Sequence, residues 1–248
     1  MFLGSNLQFL RKSNGSMTQE KLAERMGVSR QTVSKWESGA SVPELDRIIQ
    51  LNKLVELCEI FSCKLDSLLR EDMAARAKIY LPVRIVHVKG FPMARYVMIS
   101  PNPEDDVNAY MDLWAERSGL LEVPGYVPKR IGWDFHYVSA EQKNRFGLRG
   151  YAAAYVLPEG FAPSCGGAEL FCQEDADYAV MTIRDPFAAA FDRIPHAYQL
   201  ILEYLGSNGF KKKHKEGILP CFEWVYEKDG ETYMDVFIHC SGVAKANV

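Results

Sequence analysis

The sequence Met-Thr-Gln-Glu-Lys-Leu-Ala-Glu-Arg-Met-Gly-Val-Ser-Arg-Gln-Thr-Val-Ser-Lys-Trp-Glu-Ser-Gly occupies residues 17–39. Thr18 predicts the N-cap of a helix that ends at Gly27, because a threonine hydroxyl accepts a backbone N–H and glycine readily takes a positive φ. Ser29 predicts the cap of a second short helix, Arg30 to Glu37, which Gly39 terminates. A helix, a glycine turn and a second capped helix form the plan of a helix-turn-helix.

The second helix has an apolar face and a polar face. Val33 and Trp36 lie three residues apart and are expected to pack inward. On the polar face, glutamine and arginine suit base edges, serine and lysine suit phosphates, and Gln19 suits a phosphate at a helix N-terminus. The pattern alone also fits any small helical bundle with a solvated face. The residues predicted to contact DNA are Thr18, Gln19, Ser29, Arg30, Gln31, Thr32, Ser34 and Lys35.

Residues 17–39 resemble the Cro/CI-type helix-turn-helix of the XRE family position by position. Pro43-Glu44-Leu45 and the segment 63–69 are similar to that family as well. The resemblance implies a domain over residues 1–70 that binds double-stranded DNA, as a homodimer when it is bound to a two-fold site. Residues 43–61 exceed the family pattern by more than one helical turn, so we expect an extended or broken fourth helix.

The bulk composition narrows the class of protein. The chain has 248 residues, is 48% hydrophobic and 25% charged, and carries a formal net charge of -3. Residues 1–70 hold 10 Lys and Arg against 8 Asp and Glu, which permits DNA binding without general stickiness. The six cysteines show no zinc spacing, and no apolar run reaches membrane length. We therefore expect a reduced, cytoplasmic protein with no metal, no cofactor and no membrane contact.

Residues 71–79 are polar and Ala-rich, which predicts a helical connector. The remaining residues, 80–248, alternate strand-like runs with two helices that open at Asn102-Pro103 and Asp185-Pro186. The strands after each helix are similar, with an acid between two aromatics in Gly132–Tyr137 and in Cys221–Tyr226. The expected fold is an all-α helix-turn-helix domain followed by an α+β domain with a duplicated β-α-β-β unit.

This second region resembles the GyrI-like effector-binding domain, also called AraC/BmrR-type, over roughly residues 80–242. The resemblance rests on the duplicated layout, on Phe146–Tyr151, and on Phe222–Tyr226 followed by Tyr233–Val236. It implies a cleft between the repeats that holds an apolar, often cationic, small-molecule effector against a carboxylate and aromatics. The ligand-binding residues implied by the resemblance are Glu223, Asp134, Trp133, Tyr155 and Tyr226.

Glu223 lies mid-strand in an apolar run, where a carboxylate is costly without a partner. It is either a buried anion that awaits a cationic effector, or a strand residue that faces water or a lysine or arginine. Strand alternation places Trp133 opposite Asp134, and Tyr226 opposite Glu223, so that these rings also fit the core. The basic run 211–215 is interpreted as a solvated loop.

The leading hypothesis is a one-component transcription regulator that senses a small hydrophobic, possibly cationic, molecule through residues 80–248. No catalytic residue is predicted. An alternative makes the C-terminal domain a small-molecule hydrolase, with the cleft glutamate and a tyrosine as general base. A third alternative makes it a protein-docking module with a flat apolar patch.

Overall fold

The capping residues act as the sequence predicts in the computed structural model, which describes residues 1–15, 17–40, 48–61 and 63–242. The Thr18 hydroxyl accepts a hydrogen bond from the Lys21 N–H at 3.2 Å, and Gly27 takes φ 60° at the end of that helix. The Ser29 hydroxyl accepts from the Thr32 N–H at 3.1 Å. These local contacts set both helices of the helix-turn-helix.

The first of two compact units spans Met1–Ile79 and is helical. Its apolar side chains form one core that includes Leu7, Leu22, Val33 and Trp36, whose burial is the main stabilising contribution. The predicted Pro43-Glu44-Leu45 lies outside the described residues. The helices are α1 Leu3–Ser13, α2 Gln19–Met26, α3 Arg30–Glu37, α4 Ile48–Phe61, α5 Leu65–Arg70 and α6 Met73–Ile79.

The segment 71–79, predicted as a connector, packs within this helical unit. The buried Asn6 side chain donates to the Leu68 and Glu71 carbonyls at 2.9 and 2.7 Å and accepts from the Met73 N–H at 3.0 Å. One amide therefore joins α1 to the end of α5 and to the start of α6.

The second unit spans Tyr80–Val248 and is built on one antiparallel sheet with helices. This confirms the α+β fold class. Its strands are β1 Arg84–Val88, β2 Phe91–Ser100, β3 Arg130–Asp134, β4 Arg149–Val156, β5 Glu169–Gln173, β6 Ala176–Arg184, β7 Lys211–Lys212, β8 Cys221–Lys228 and β9 Glu231–Ser241, and its α-helices are α7 Pro103–Arg117, α8 Ala140–Phe146 and α9 Ala190–Ser207.

The strand order confirms the duplicated unit. The sheet runs β1-β6-β9-β8-β3-β4-β2-β5, so that β2-α7-β3-β4 and β6-α9-β8-β9 occupy mirrored positions. The two β-α-β-β repeats meet at the β3–β8 pair, where Gly132 lies opposite Glu223. The two repeats therefore share one sheet, and their seam runs through the middle of it.

The edge strands are exchanged between the repeats. β1 leads into β2 but pairs with β6, whereas β5 leads into β6 but pairs with β2, and the register continues without a slip from one pair to the other. The chain bends at Gly90, where an added Cβ would lie 2.5 Å from the Gln173 carbonyl oxygen and where the N–H donates to Asp175 at 2.7 Å. The segments β1–β2 and β5–β6 thus form one continuous antiparallel pair, which curls the sheet and joins its two ends.

The two faces of the sheet bury different cores. Helix α7 packs Val107 and Met111 against the face that carries Tyr151 and Tyr155. The opposite face packs Trp133, Tyr178, Phe222 and Phe237 against one another. Alternation along each strand assigns neighbouring residues to opposite cores.

Several local details differ from the sequence predictions. Neither Asn102 nor Asp185 caps its helix with a side-chain hydrogen bond, and Asp185 takes φ 48° before a 3-10 turn that precedes α9. β3 ends at Asp134 rather than near Tyr137, with one further backbone hydrogen bond from the Phe135 N–H to the Gly150 carbonyl at 2.9 Å. Helix α8 and strand β5 have too few buried residues to give a periodic signal.

Candidate DNA interface and ligand cleft

The polar face of α3 is open to solvent. Gln31, Ser34 and Lys35 are exposed, whereas Val33 and Trp36 are buried in the helical core. Within the described part of the chain, those three polar side chains have no hydrogen-bonding or ionic partner. They are therefore free to reach the base edges and phosphates of a major groove.

The other predicted DNA contacts already have partners. Thr18 and Ser29 act as helix caps, with the Ser29 and Thr32 hydroxyls 2.9 Å apart. Arg30 pairs with Glu20 at 2.7 Å, and both side chains are largely exposed. An exposed pair of this kind is weak, so DNA can replace it at little cost.

Gln19 is held by a buried ionic network. Arg11 makes two hydrogen bonds to the Glu37 carboxylate, at 2.6 and 3.0 Å, and the Gln19 amide donates to the same carboxylate at 2.9 Å. Burial raises the pKa of Glu37, but the hydrogen bonds from Arg11 and Gln19, together with the Arg11 charge, outweigh it and leave that pKa below its usual value. The network fixes the Gln19 side chain at the N-terminus of α2.

A different carboxylate lies at the seam of the two repeats. Glu223 projects from β8 on the face that carries the helices, and it is only partly exposed. Tyr151 of β4 donates to one carboxylate oxygen at 3.1 Å, and Tyr198 of α9 donates to the other at 3.0 Å. The two hydroxyls come from different repeats and fix the carboxylate between them.

Gly132 makes this arrangement sterically possible. It lies opposite Glu223 in the β3–β8 pair, and a Cβ added to it would overlap the Tyr151 hydroxyl oxygen. No side chain other than hydrogen leaves room for the Tyr151 ring over β3. The glycine thereby allows Tyr151 to reach Glu223.

Two further acids surround Glu223. Burial raises the pKa of Glu223 to about 7; the tyrosine hydrogen bonds oppose this effect, and the charges of Asp134 and Glu104 reinforce it. Glu104 is exposed at one side, yet partial desolvation and the nearby charges of Asp105 and Asp134 raise its pKa, against the opposing charge of Arg130. Among the described residues, no lysine or arginine forms an ion pair with Glu223, Asp134 or Glu104. We call this group, with Tyr151 and Tyr198, the acidic cleft.

The structure places Asp134 near Glu223 but does not bring the other predicted ligand-binding residues to it. Trp133 is buried in the opposite core. Tyr226 stacks on Tyr233, with its hydroxyl 3.5 Å from Asp235. Tyr155 shares a face with Tyr151, but its hydroxyl donates to Asp112 at 2.6 Å.

Sequence reasoning missed Tyr151, Tyr198 and Glu104. Tyr151 closes the segment Phe146–Tyr151 that carries part of the family resemblance, and its spacing from Gly132 carries no signal until β3 and β4 are paired. Tyr198 lies mid-helix in α9, where an aromatic is normally assigned to the core. Contacts between residues distant in sequence define all three.

Residues 7–67 match the helix-turn-helix family HTH_3. The N-terminal unit is therefore an XRE-type helix-turn-helix domain, and it defines the protein as a DNA-binding regulator of transcription. No curated protein sequence matches the chain.

Three solved structures are similar to the chain at low sequence identity. The EcmrR C-terminal domain is 12% identical, with 65% of this chain and 98% of that chain covered and a TM-score of 0.45. The cryo-EM structure of the EcmrR–DNA complex is 13% identical, covers 92% and 85% of the two chains, and has a TM-score of 0.43. A hydrolase from Listeria innocua is 11% identical, covers 69% and 97%, and has a TM-score of 0.41. At this level of similarity, none of them assigns a ligand or a reaction to this chain.

Two classes of site are absent from the described residues. No helix there is long and apolar enough to cross a membrane. Nor does that part of the chain bring together three His, Cys, Asp or Glu side chains that would suit a metal ion.

Proposed function

We propose that this regulator senses a lipophilic cation in the acidic cleft and that binding changes its affinity for DNA. The observation that carries the proposal is the Glu223 carboxylate, which has two tyrosine donors, two acidic neighbours and no ion pair with a lysine or arginine among the described residues. A carboxylate removed from water without a charge partner is costly. A bound cation supplies the missing charge, and the aromatic rings of Tyr151 and Tyr198 supply apolar and cation–π contacts.

Calorimetric titration of the intact chain tests the charge preference. Tetraphenylphosphonium and tetraphenylborate have the same shape and opposite charges. In Glu223→Gln we expect tetraphenylphosphonium to bind about 10-fold to 100-fold more weakly, because a hydrogen bond or ion pair to a charged group contributes ~1.5–3 kcal/mol. The affinity for tetraphenylborate should not fall.

Glu227→Gln is the matched control, because Glu227 lies on the same strand and is exposed. It should leave the binding of both ions unchanged. An equal loss of both ions in Glu223→Gln, or equal losses of the cation in the two variants, would show that the cleft does not recognise charge.

Coupling to DNA is a separate test. A cation that binds the DNA-competent and incompetent arrangements with different affinities must shift the dissociation constant for DNA. We expect saturating tetraphenylphosphonium to shift the operator affinity of the wild type by at least ~5-fold, and to shift that of Glu223→Gln much less. Fluorescence anisotropy with a selected operator measures the shift. An unchanged wild-type affinity would remove the sensing role while leaving cation binding intact.

The operator complex is proposed to contain a homodimer. Helix-turn-helix domains of this class read two half-sites about one helical turn apart. Light scattering of the purified complex gives its mass, and a mass of one chain per duplex would contradict a dimer.

A hydrolase remains the second candidate because of one observation. A carboxyl with a pKa of about 7 between two hydroxyls suits a general base at neutral pH. Mass spectrometry of ligands recovered after long incubation separates the two functions. A sensor returns its ligand intact, whereas a hydrolase returns the ligand with water added.

A further inference from the structure

A cavity opens beside the face of the sheet that carries Trp133 and Phe171, and Asp134 of the acidic cleft lies at its margin. Its volume is about 850 Å³, within the range of small-molecule sites. Trp133, Phe135 and Phe171 form its aromatic wall, and the segment 212–221 forms the facing wall. Glu223, Tyr151 and Tyr198 do not line it. We call this cavity the rear pocket.

The facing wall is fixed by a buried ring of hydrogen bonds. The Gln173 amide donates to the Tyr178 hydroxyl at 2.5 Å, that hydroxyl donates to the Leu219 carbonyl at 2.8 Å, and the Leu219 N–H donates to the Gln173 side-chain oxygen at 3.0 Å. Both side chains are fully buried. A satisfied buried network is rigid, so the wall is already in place before a ligand binds.

The rim of the rear pocket carries unpaired side chains of both charges, with two lysines adjacent in sequence. Lys212 and Lys213 line it, and within the described ranges neither has a carboxylate partner. Other charges that line the pocket are already paired, since Glu169 pairs with Arg95 at 2.9 Å and Lys215 pairs with Glu174 at 2.5 Å. Asp134 and Glu216 are the acidic lining residues outside these pairs.

The positive charge of Lys213 also acts on the buried His239, which lies beside this rim. Burial lowers its pKa, and the charge of Lys213 lowers it further. Its Nδ1 atom is buried without a hydrogen-bond partner among the described residues. Lys213 is held next to it, because the Lys213 N–H donates to the His239 carbonyl at 3.0 Å.

We propose that the rear pocket is a second ligand site and that it binds an aromatic anion such as a carboxylate or sulfonate. The ring system of the ligand packs on Trp133 and Phe171, and its acidic group pairs with Lys212 and Lys213. The charge preference is opposite to that of the acidic cleft. The regulator therefore has two sites for ligands of opposite charge, one centred on Glu223 and the other on Trp133 and Phe171, with Asp134 between them.

Two fluorescent probes of similar size test this site on the intact chain. 1-Anilinonaphthalene-8-sulfonate is an aromatic anion, and N-phenyl-1-naphthylamine is its uncharged analogue. In Lys212→Gln/Lys213→Gln we expect the sulfonate to bind about tenfold more weakly, because two charged contacts are removed. The uncharged probe should keep its affinity. Both lysines are exposed, so the double variant is expected to fold.

The matched control is Lys21→Gln/Lys228→Gln, which removes two exposed lysines that do not line the pocket. It should bind the sulfonate as the wild type does. Failure of the wild type to bind the sulfonate, an unchanged affinity in Lys212→Gln/Lys213→Gln, or equal losses in the two double variants would each overturn the proposal. Glu223→Gln should bind the sulfonate at least as well as the wild type does, which separates the two sites.

Discussion

Glu37 of the helical unit and Glu223 of the sheet unit are both withdrawn from water, yet their surroundings differ in sign. Glu37 accepts two hydrogen bonds from Arg11 and one from Gln19, and its pKa lies below the usual value. Glu223 accepts only from Tyr151 and Tyr198 and has acidic neighbours, and its pKa rises to about 7. One carboxylate is neutralised within the fold and the other is not.

The different surroundings indicate different roles: Glu37 stabilises the fold, whereas Glu223 is suited to bind a ligand. A buried acid with its own arginine holds helices together and leaves nothing for a ligand to supply. A buried acid with neutral donors keeps its affinity for a cation, at a cost in folding stability that is recovered when the cation binds. Charge compensation, and not burial, thus distinguishes the two glutamates.

Removal of the arginine from the compensated pair is expected to have the largest effect. Arg11→Met leaves Glu37 buried without a charge partner, which costs ~3–5 kcal/mol of unfolding free energy. Urea unfolding of the intact chain, followed by circular dichroism, should show an earlier transition of the helical unit. Arg30→Met, which breaks an exposed pair, should cost less than ~1 kcal/mol. Equal losses in the two variants would mean that the Arg11–Glu37 pair is no stronger than a surface contact.

Glu223→Gln is expected to stabilise the protein at high pH. A carboxyl whose folded pKa is about 7, above its usual value of 4.5, favours the folded state only while it is protonated. Ionisation of Glu223 therefore lowers the free energy of unfolding. This destabilisation is absent below pH 4.5 and reaches its full size, up to ~3 kcal/mol, above pH 7. In thermal unfolding from pH 4.5 to 8, the melting temperature of the variant should rise relative to that of the wild type as pH rises.

Glu227→Gln, at an exposed position of the same strand, should follow the wild type at every pH. A constant difference between Glu223→Gln and the wild type would contradict the raised pKa of Glu223.

In the helical unit, substitution of two glutamines, Gln31 and Gln19, should affect specific and non-specific DNA binding differently. Gln31 is exposed on α3, so Gln31→Ala should cost ~1–3 kcal/mol on the cognate operator and spare random DNA. Gln19 is held by Glu37, so Gln19→Ala should weaken binding to both DNAs if it contacts a phosphate. Anisotropy titrations with the two DNAs measure this, with Gln8→Ala on α1 as an exposed control. Equal losses on both DNAs for Gln31→Ala would exclude a base contact.

Tyr198→Phe is expected to have the smallest effect. Loss of one hydrogen bond raises the pKa of Glu223 further, so a lipophilic cation binds ~3-fold to 10-fold more weakly at pH 7, equivalent to ~0.5–1.5 kcal/mol. Titrations with tetraphenylphosphonium from pH 6 to 9 should show the rise in affinity shifted to higher pH. Tyr155→Phe is the matched control, because that hydroxyl bonds to Asp112. An unshifted profile in Tyr198→Phe would remove its hydroxyl from the cleft.

The helix-turn-helix was predictable residue by residue. Thr18, Gly27 and Ser29 act on backbone groups within a few positions of themselves, and the helices between them have the predicted bounds. The duplicated β-α-β-β order was predictable too, since strand and helix periodicities are local. Helix α8 and strand β5 were not, because their pairing or packing partners lie far away in sequence.

The acidic cleft was only half predictable. The sequence marks Glu223 as an acid in an apolar strand, and the resemblance adds Asp134. Two contacts could not be predicted from the sequence. Tyr151 lies over Gly132 only once β3 and β4 pair, and Tyr198 of α9 reaches Glu223 only once the two repeats join at β3 and β8. The alternation of the strands does predict that Trp133 and Tyr226 lie on the other face.

The sequence by itself determined the DNA-binding helices, the class of the second unit and the presence of an acid at its seam, because caps, periodicity and alternation are set by neighbouring residues. Tertiary structure alone decided which buried glutamate is neutralised. Arg11 reaches Glu37 across the helical core, whereas no lysine or arginine among the described residues pairs with Glu223. The free energy of a buried charge depends on groups that the fold gathers from distant positions, and no local pattern encodes that gathering.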